Sequence, residues 1–434
     1  MNNMRELLLK QLITGTNRLI PLRPNQRQMA REAIQYPSVA RVDLIPIEIL
    51  GPVEIQRVLA AYQSTISAQP GLHKRLARDA QRFIELPVDV PVPRVARKSN
   101  REQVEQDVAR LLSTPINPFV GLIGEAVVHV LSEQLSVLLI PIHHLECDEA
   151  SHGVFVQCLS QAYGSASSVG DGYAGNNLGH QETTLGNQEP RGEDVEAYAA
   201  RLRSPRPSMF SATGVRSGLA RPVVQQLSSS DWQTMRASLL VGGVPPTCAL
   251  VAAVAKSCAE VFDARDVRVG TALSNRWSAE LSDVVGLFAT FHVIRFRDAF
   301  NSSIGTMARH TTRDMLATGG MPAIPLPAVV EVLHQWGERP DRSSPIYEVS
   351  VAFGEASGAI ARTGEIRFRV LRGAELPEAS APAYTPVHVE ALDALDGSLQ
   401  IYSYFDTGLI PEGQSRKWSE MVARNLAAIA RGLE

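Results

Sequence analysis

The 434-residue sequence is short of several things, and each shortage excludes something. Its four cysteines, Cys147, Cys158, Cys248 and Cys258, make no CxxC pair and no zinc-type spacing, so neither a disulfide framework nor a cysteine metal site is expected, only reduced, buried thiols. No stretch of about 18 unbroken apolar residues occurs, and no charged start is followed by an apolar core and a cleavage site; membrane insertion and secretion are not expected, and the cytoplasm is the default compartment. An excess of one charge is missing too. With 42 basic and 45 acidic residues the formal net charge is −3, which recommends neither nucleic acid nor anionic lipid as a partner. A Gly/Ser/Asn-rich stretch over residues 164–194 lacks GxxxxGK[ST] and the strand–GxGxxG–helix context of a phosphate loop, and is too poor in apolar side chains to offset its ordering entropy. It reads as a linker. What the chain does have is 44% hydrophobic residues over a length that suits two or three domains.

The most informative stretch is an apolar run over residues 135–142 followed by His143-His144-Leu145-Glu146-Cys147-Asp148-Glu149. The run is rich in Val, Ile and Leu and fits a buried strand. Adjacent residues of an extended chain point to opposite faces, so at most one of the two histidines can face a given cavity. Beyond Glu149, the residues Val154, Phe155, Cys158, Leu159 and Ala162 form a stripe at helical spacing, with Asp148, Glu149 and Ser151 where a helix start favours anions and caps. The unit is strand, polar turn, helix. A lone histidine at a strand end is most often a rim residue with a satisfied hydrogen bond. A partly desolvated imidazole can also take a proton from an amine or hydroxyl and return it.

In chain order, a short amphipathic stretch lies over residues 7–13, and Pro21-Leu22-Arg23-Pro24 leads into a helix start. A strand is expected over residues 42–50 and a helix over 52–67. A proline-studded edge strand is expected over 84–95, a charged helix over 101–112, and the strand pair that ends in the histidine turn follows. After the linker, residues 247–262 read as a helix with Ala249, Ala252, Ala253 and Ala255 suited to close packing on a sheet. Residues 267–277 read as strand then turn.

The spacing His143-His144-x-x-x-Asp148 resembles the HHxxxDG motif of the condensation domains of nonribosomal peptide synthesis, within the chloramphenicol-acetyltransferase-like acyltransferase superfamily. Pro21-Leu22-Arg23-Pro24-Asn25-Gln26-Arg27-Gln28-Met29 is similar to the family's PLSxxQxRMW opening, and the segment from Ser67 to Leu76 to its RHxxLRTxF; there His73 is read as surface or structural. Gly270 to Arg276 resembles GxPxxxR, Val285-Gly286-Leu287-Phe288 resembles VGxF, Pro325-Leu326-Pro327 precedes a helix like PFExLVExL, and Arg339 to Val349 looks like RDxSRxPLFQV. Residues 399–405, the Asp406-Thr407-Gly408 turn and a helix over 415–433 match the family's closing strand, turn and helix, and the resemblance spans residues 22–433.

It implies an α/β fold of two chloramphenicol-acetyltransferase-like lobes in a V-shaped pseudo-dimer: an N-terminal lobe over 1–163, the linker over 164–194, a C-terminal lobe over 195–434, and the active site at their junction. By position in the motif, His144 would be the catalytic histidine, as base or as positioner of the acceptor, and His143 would be structural. Asp148 would shape the turn through an ion pair with Arg276. Two departures stand out. Glu149 occupies the Gly position of the motif, where it would crowd the tunnel or contact a cationic acceptor, and the DYAxW segment is not recognisable over residues 194–203. Three functions compete: a free-standing condensation enzyme joining a carrier-bound acyl thioester to an amine or alcohol, an acyltransferase using CoA, and a non-catalytic docking platform. No bound cofactor or metal is implied, the donor being carried on the phosphopantetheine of a carrier protein or on CoA. The basic groups Arg94, Arg97, Lys98, Arg101 and Arg201, Arg203, Arg206 are candidate contacts for an acidic carrier or for nucleotide phosphates.

Overall fold

The computed structural model describes residues 18–35, 41–165, 190–203, 208–210, 219–276, 279–318, 324–340, 346–355, 360–372, 381–382 and 385–432. The amphipathic stretch over 7–13, most of the 164–194 linker, Arg206 and the middle of the Arg339–Val349 motif lie outside them.

The first half runs β1 (Leu19–Pro21), α1 (Pro24–Gln35), β2 (Val42–Leu50), α2 (Ile55–Ser67), β3 (Lys74–Leu76), β4 (Arg82–Glu85), β5 (Arg94–Arg97), α3 (Arg101–Ser113), β6 (Val127–Ser132), β7 (Leu135–His143) and α4 (Glu149–Ser165). Every residue of β7 after the first two faces protein on both sides of the sheet, which explains its unbroken apolar run. Ile140, Ile142 and Leu138 pack with Ile45, Ile47 and Ile49 of β2 under α2 and α4, whereas Val137 and Leu139 pack with Val104, Val108 and Leu111 of α3. The proline-rich stretch 87–93 is not strand. Three prolines there remove ladder donors, so the expected edge strand breaks into β4 and β5, with Val88 and Val92 left exposed.

The second half runs α5 (Gly192–Leu202), β8 (Leu219–Leu227), α6 (Ser229–Val241), α7 (Pro246–Phe262), β9 (Val267–Leu273), α8 (Ala279–Ser282), β10 (Thr290–Phe296), α9 (Ile304–Thr318), α10 (Leu326–Gln335), β11 (Val349–Glu355), β12 (Ile360–Thr363), β13 (Ile366–Val370), β14 (Ala381–Pro382), β15 (Val387–Asp393), β16 (Leu399–Asp406) and α11 (Glu412–Gly432). A seven-stranded sheet in the order β10-β9-β11-β15-β16-β8-β14 carries α7, α9 and α11 on one face. The alanines of α7 are fully buried and let it approach both the sheet and α11. Alternation puts Val387, Val389 and Ala391 of β15 into that core and sends His388 and Glu390 to the opposite face, beside Ser350 of β11 and Tyr404 of β16.

The six-stranded sheet has the order β12-β13-β2-β7-β6-β5. β12 and β13 come from the second half of the chain, yet β13 pairs antiparallel with β2, Phe368 opposite Ile49. The segment expected as a separate lobe over 195–434 thus supplies two strands to the first sheet. Among the described residues no single helix is long and apolar enough to cross a membrane.

Candidate active site

The histidine turn is built where β7 ends. His143 is the last strand residue, paired with Val42; it is buried, and its Nδ1 accepts the Leu145 N–H at 3.0 Å. Burial, reinforced by His144 and Arg41, pushes its pKa down to about 4, so it is neutral. His144 follows in the turn, its backbone N–H donating to the Arg41 carbonyl. Its side chain keeps 37% of its surface exposed, and Nδ1 lies 2.5 Å from Oδ2 of Asp43, the second residue of β2. Burial works to lower the His144 pKa, but the Asp43 carboxylate, through charge and hydrogen bond, with Asp148 beyond it, outweighs that and raises it. A carboxylate on Nδ1 fixes the tautomer and makes Nε2 the basic nitrogen. Asp43 was not singled out from the sequence. The available signal was register: Val42 and His143 terminate paired strands, which puts Asp43 beside the turn.

Asp148 caps α4. Its Oδ1 accepts the Ser151 N–H at 3.0 Å and the Ser151 hydroxyl at 2.8 Å, and Oδ2 accepts the N–H groups of Phe288 and Ala289. Arg276 Nη2 donates to Oδ1 at 2.8 Å, and its Nη1 donates to the carbonyl of Val284. Burial alone would raise the Asp148 pKa; Arg276 and the four other donors reverse this and hold it below the usual carboxylate range. The expected pair is therefore present, and it ties the turn to the Val285–Phe288 segment. Gly286 is obligatory there because an added Cβ would lie 2.6 Å from the Phe288 ring, which is itself held between the guanidinium groups of Arg23 and Arg276 at 4.4 and 4.6 Å from its centroid.

Glu146 anchors the other side. It is fully buried and meets Lys74 Nζ at 3.1 Å, Arg23 Nη2 at 3.3 Å and Gln26 Nε2 at 2.7 Å. The two N-terminal motifs converge here on the turn, a role the sequence did not disclose. His73, beside Lys74, is buried with Nε2 2.8 Å from the Ile66 carbonyl, so of its two expected roles the structural one fits its placement and the surface one does not.

Glu149, the first residue of α4, does not point at His144. It pairs with Arg372, which follows β13, and the two polar ends lie against Gly354 of β11, where an added Cβ would meet Glu149 Oε1 at 2.7 Å and Arg372 Nη1 at 2.8 Å. Both residues belong with the six-stranded sheet, and their polar ends reach β11 of the seven-stranded sheet at Gly354. Close by, burial and the Glu149 charge raise Glu390 to about 7, and burial lowers His388 to about 4, its Nδ1 lying 2.9 Å from Ser350 Oγ. Where the DYAxW segment was not recognised, α5 docks by Tyr198, whose hydroxyl bonds the backbone of Val293. No group of three or more His, Cys, Asp or Glu among the described residues is arranged to hold a metal.

No protein-family model matches the sequence, and a search of curated proteins returns no match. Solved structures do match in fold. The X-domain from teicoplanin biosynthesis, in its complex with OxyB, aligns with a TM-score of 0.72 at 16% identity over 96% of this chain and 94% of that one. The condensation domain of the Monacolin K polyketide synthase aligns at 0.73 and 15% over 95% and 98%. The starter condensation domain of rhizomide synthetase in complex with C8-CoA aligns at 0.75 and 13% over 95% of each. The chain therefore has the condensation-domain fold. Within that α/β fold, the site class is a histidine turn braced by a buried aspartate–arginine pair.

Proposed function

We propose that the protein is a condensation-type acyltransferase, moving an acyl group from the phosphopantetheine thioester of a carrier protein to an amine or hydroxyl. The observation that carries this reading is the Asp43–His144 hydrogen bond on a ring that solvent still reaches. His144 Nε2 takes the proton of the acceptor, or positions it, as the acceptor attacks the thioester carbonyl; the carbon–sulfur bond then breaks and the thiolate leaves with that proton. Asp43 holds the ring and stabilises its charged form. His143, Asp148 and Arg276 keep the turn in place without touching the reacting atoms. The account needs no metal or resident cofactor, and its setting is the cytoplasm, where carrier-linked acyl groups are made.

Two other readings have specific support. Likeness to a condensation domain solved with C8-CoA favours a CoA thioester as donor. Likeness to an X-domain solved in complex with OxyB favours a docking platform. Intact-mass measurement of an acyl-loaded carrier, offered a panel of amines and alcohols, separates them. Loss of the acyl mass with appearance of amide or ester supports transfer. An unchanged acyl-carrier with every acceptor, while acyl-CoA is consumed or carrier is merely bound, supports the CoA or the docking reading respectively.

A further inference from the structure

The face of the seven-stranded sheet opposite the α7 core carries a polar lining that the histidine turn does not use. On β15 it presents His388 and Glu390, flanked by Ser350 and Ala352 of β11 and by Tyr404 and Tyr402 of β16. Ser350 Oγ lies 2.9 Å from His388 Nδ1 and 2.8 Å from Thr385 Oγ1, and the His388 ring stacks on Tyr404 with centroids 6.0 Å apart. Glu390 is different. It is half-buried, and its carboxylate has no hydrogen bond and no ion pair with any described residue. Two residues further along β11, on the same face, the Glu149–Arg372 pair sits against Gly354. The cation that meets Glu149 is therefore an internal one. His388, driven neutral by burial, supplies no charge, so Glu149 and Glu390 face one guanidinium and Glu390 is the surplus anion.

The lining continues toward the histidine turn. His152 lies one turn after Glu149 on α4, where the charges of Asp43, Arg372 and Glu149 act on it. Burial lowers its pKa, and its buried Nε2 has no partner among the described residues. Asp43 is the carboxylate bonded to His144. A chain of neighbours, Glu390, the Glu149–Arg372 pair, His152 and Asp43, thus leads from β15 to the ring that faces solvent. Burial and the Glu149 charge hold Glu390 at about 7; an ammonium bound beside it would favour the carboxylate and offset both. Tyr402, its cross-strand neighbour, adds aromatic surface suited to a cation, and Ala352 on the other side adds only a methyl group.

We propose that Glu390 is a specificity-determining residue of an acceptor subsite, where it binds a second, cationic group of an acceptor whose nucleophilic amine or hydroxyl faces His144. The substrate class is a diamine or amino alcohol rather than a neutral monofunctional acceptor. Calling the bound cation an acceptor rests on the transfer reading; its binding does not. Titration calorimetry of the full chain at fixed ionic strength tests the binding, with α,ω-diamines from diaminoethane to diaminohexane, each beside the monoamine of the same length. At pH 8 at least one diamine should bind saturably and about tenfold or more tighter than its monoamine, the worth of one charge-assisted hydrogen bond. The preference should shrink at pH 6, where Glu390 takes up a proton, and vanish at both pH values in Glu390→Gln. That variant should melt no lower than the parent, because it removes an uncompensated carboxylate. If it does not fold, Glu390→Asp decides: it draws the charge back by one methylene and should move the preference to a longer diamine. No diamine preferred over its monoamine, or a preference unchanged by the substitution, overturns the proposal. The carrier assay keeps the two readings apart. Acyl transfer to monoamines and diamines alike refutes the subsite alone, and diamine binding without any acyl product refutes the transfer alone.

Discussion

At the scale of single residues, the two histidines of the turn are separated by environment. His143 accepts a backbone N–H in a packed interior, whereas His144 holds a carboxylate and keeps contact with solvent. Asp43→Ala should therefore lower the His144 pKa, read from the ring proton shifts in an NMR pH titration; an unchanged titration would remove Asp43 from the account. Asp148 is the opposite case, a buried anion that five donors satisfy. Asp148→Asn leaves Arg276 uncompensated, and a loss of on the order of 3–5 kcal/mol is expected in chemical denaturation. Full stability with lost activity would instead make Asp148 a participant in the chemistry.

At the scale of elements, the turn is held because three distant segments close on it. The N-terminal motif and the first residue of β3 meet at Glu146, and the Val285–Phe288 segment meets Asp148. Glu146→Gln should destabilise the fold by about 3 kcal/mol or more, since Arg23 and Lys74 remain buried and lose the carboxylate they share; a denaturation midpoint equal to the parent's would contradict this. Much of this frame was legible. Hydrophobic period gave β2, β7 and α7, and the resemblance to the condensation-domain motifs implied α11 and the Asp148–Arg276 pair. What was not legible depended on partners far apart in sequence. Asp43 is one polar residue in an apolar strand, and only the register of β2 on β7 puts it by His144. The β12–β13 hairpin reads as any short strand pair; its joining the first sheet is decided by Phe368 and Val370 packing with β2.

At the scale of the whole molecule, buried neutral histidines tie stability to pH. His143 and His388 have pKa values of about 4 in the folded chain, against about 6.5 unfolded. The unfolded chain takes up these protons first. Stability is thus full above about pH 6.5, falls as pH drops through 5, and each group's loss, on the order of 3 kcal/mol, is complete only below about 4. His144 has the opposite sign: its raised pKa adds stability that is complete below about 6.5 and fades as pH rises through its folded value. Melting temperatures across pH 4 to 8 should fall on the acid side, and the slope should flatten in His143→Gln and His388→Gln; a slope unchanged by both would refute the assignment.

Glu149 and Arg372 lie on Gly354 of β11, so the one departure from the histidine motif is also a contact between the two sheets. The central claim is that the chemistry runs through His144. The most direct test follows acyl transfer from a loaded carrier at saturating acceptor for folded His144→Ala and His143→Ala beside the parent. His144→Ala should lose roughly 10²- to 10⁴-fold in rate with its fold intact, and His143→Ala should lose mainly stability. If both folded variants turn over like the parent, the histidine turn is not the reaction centre.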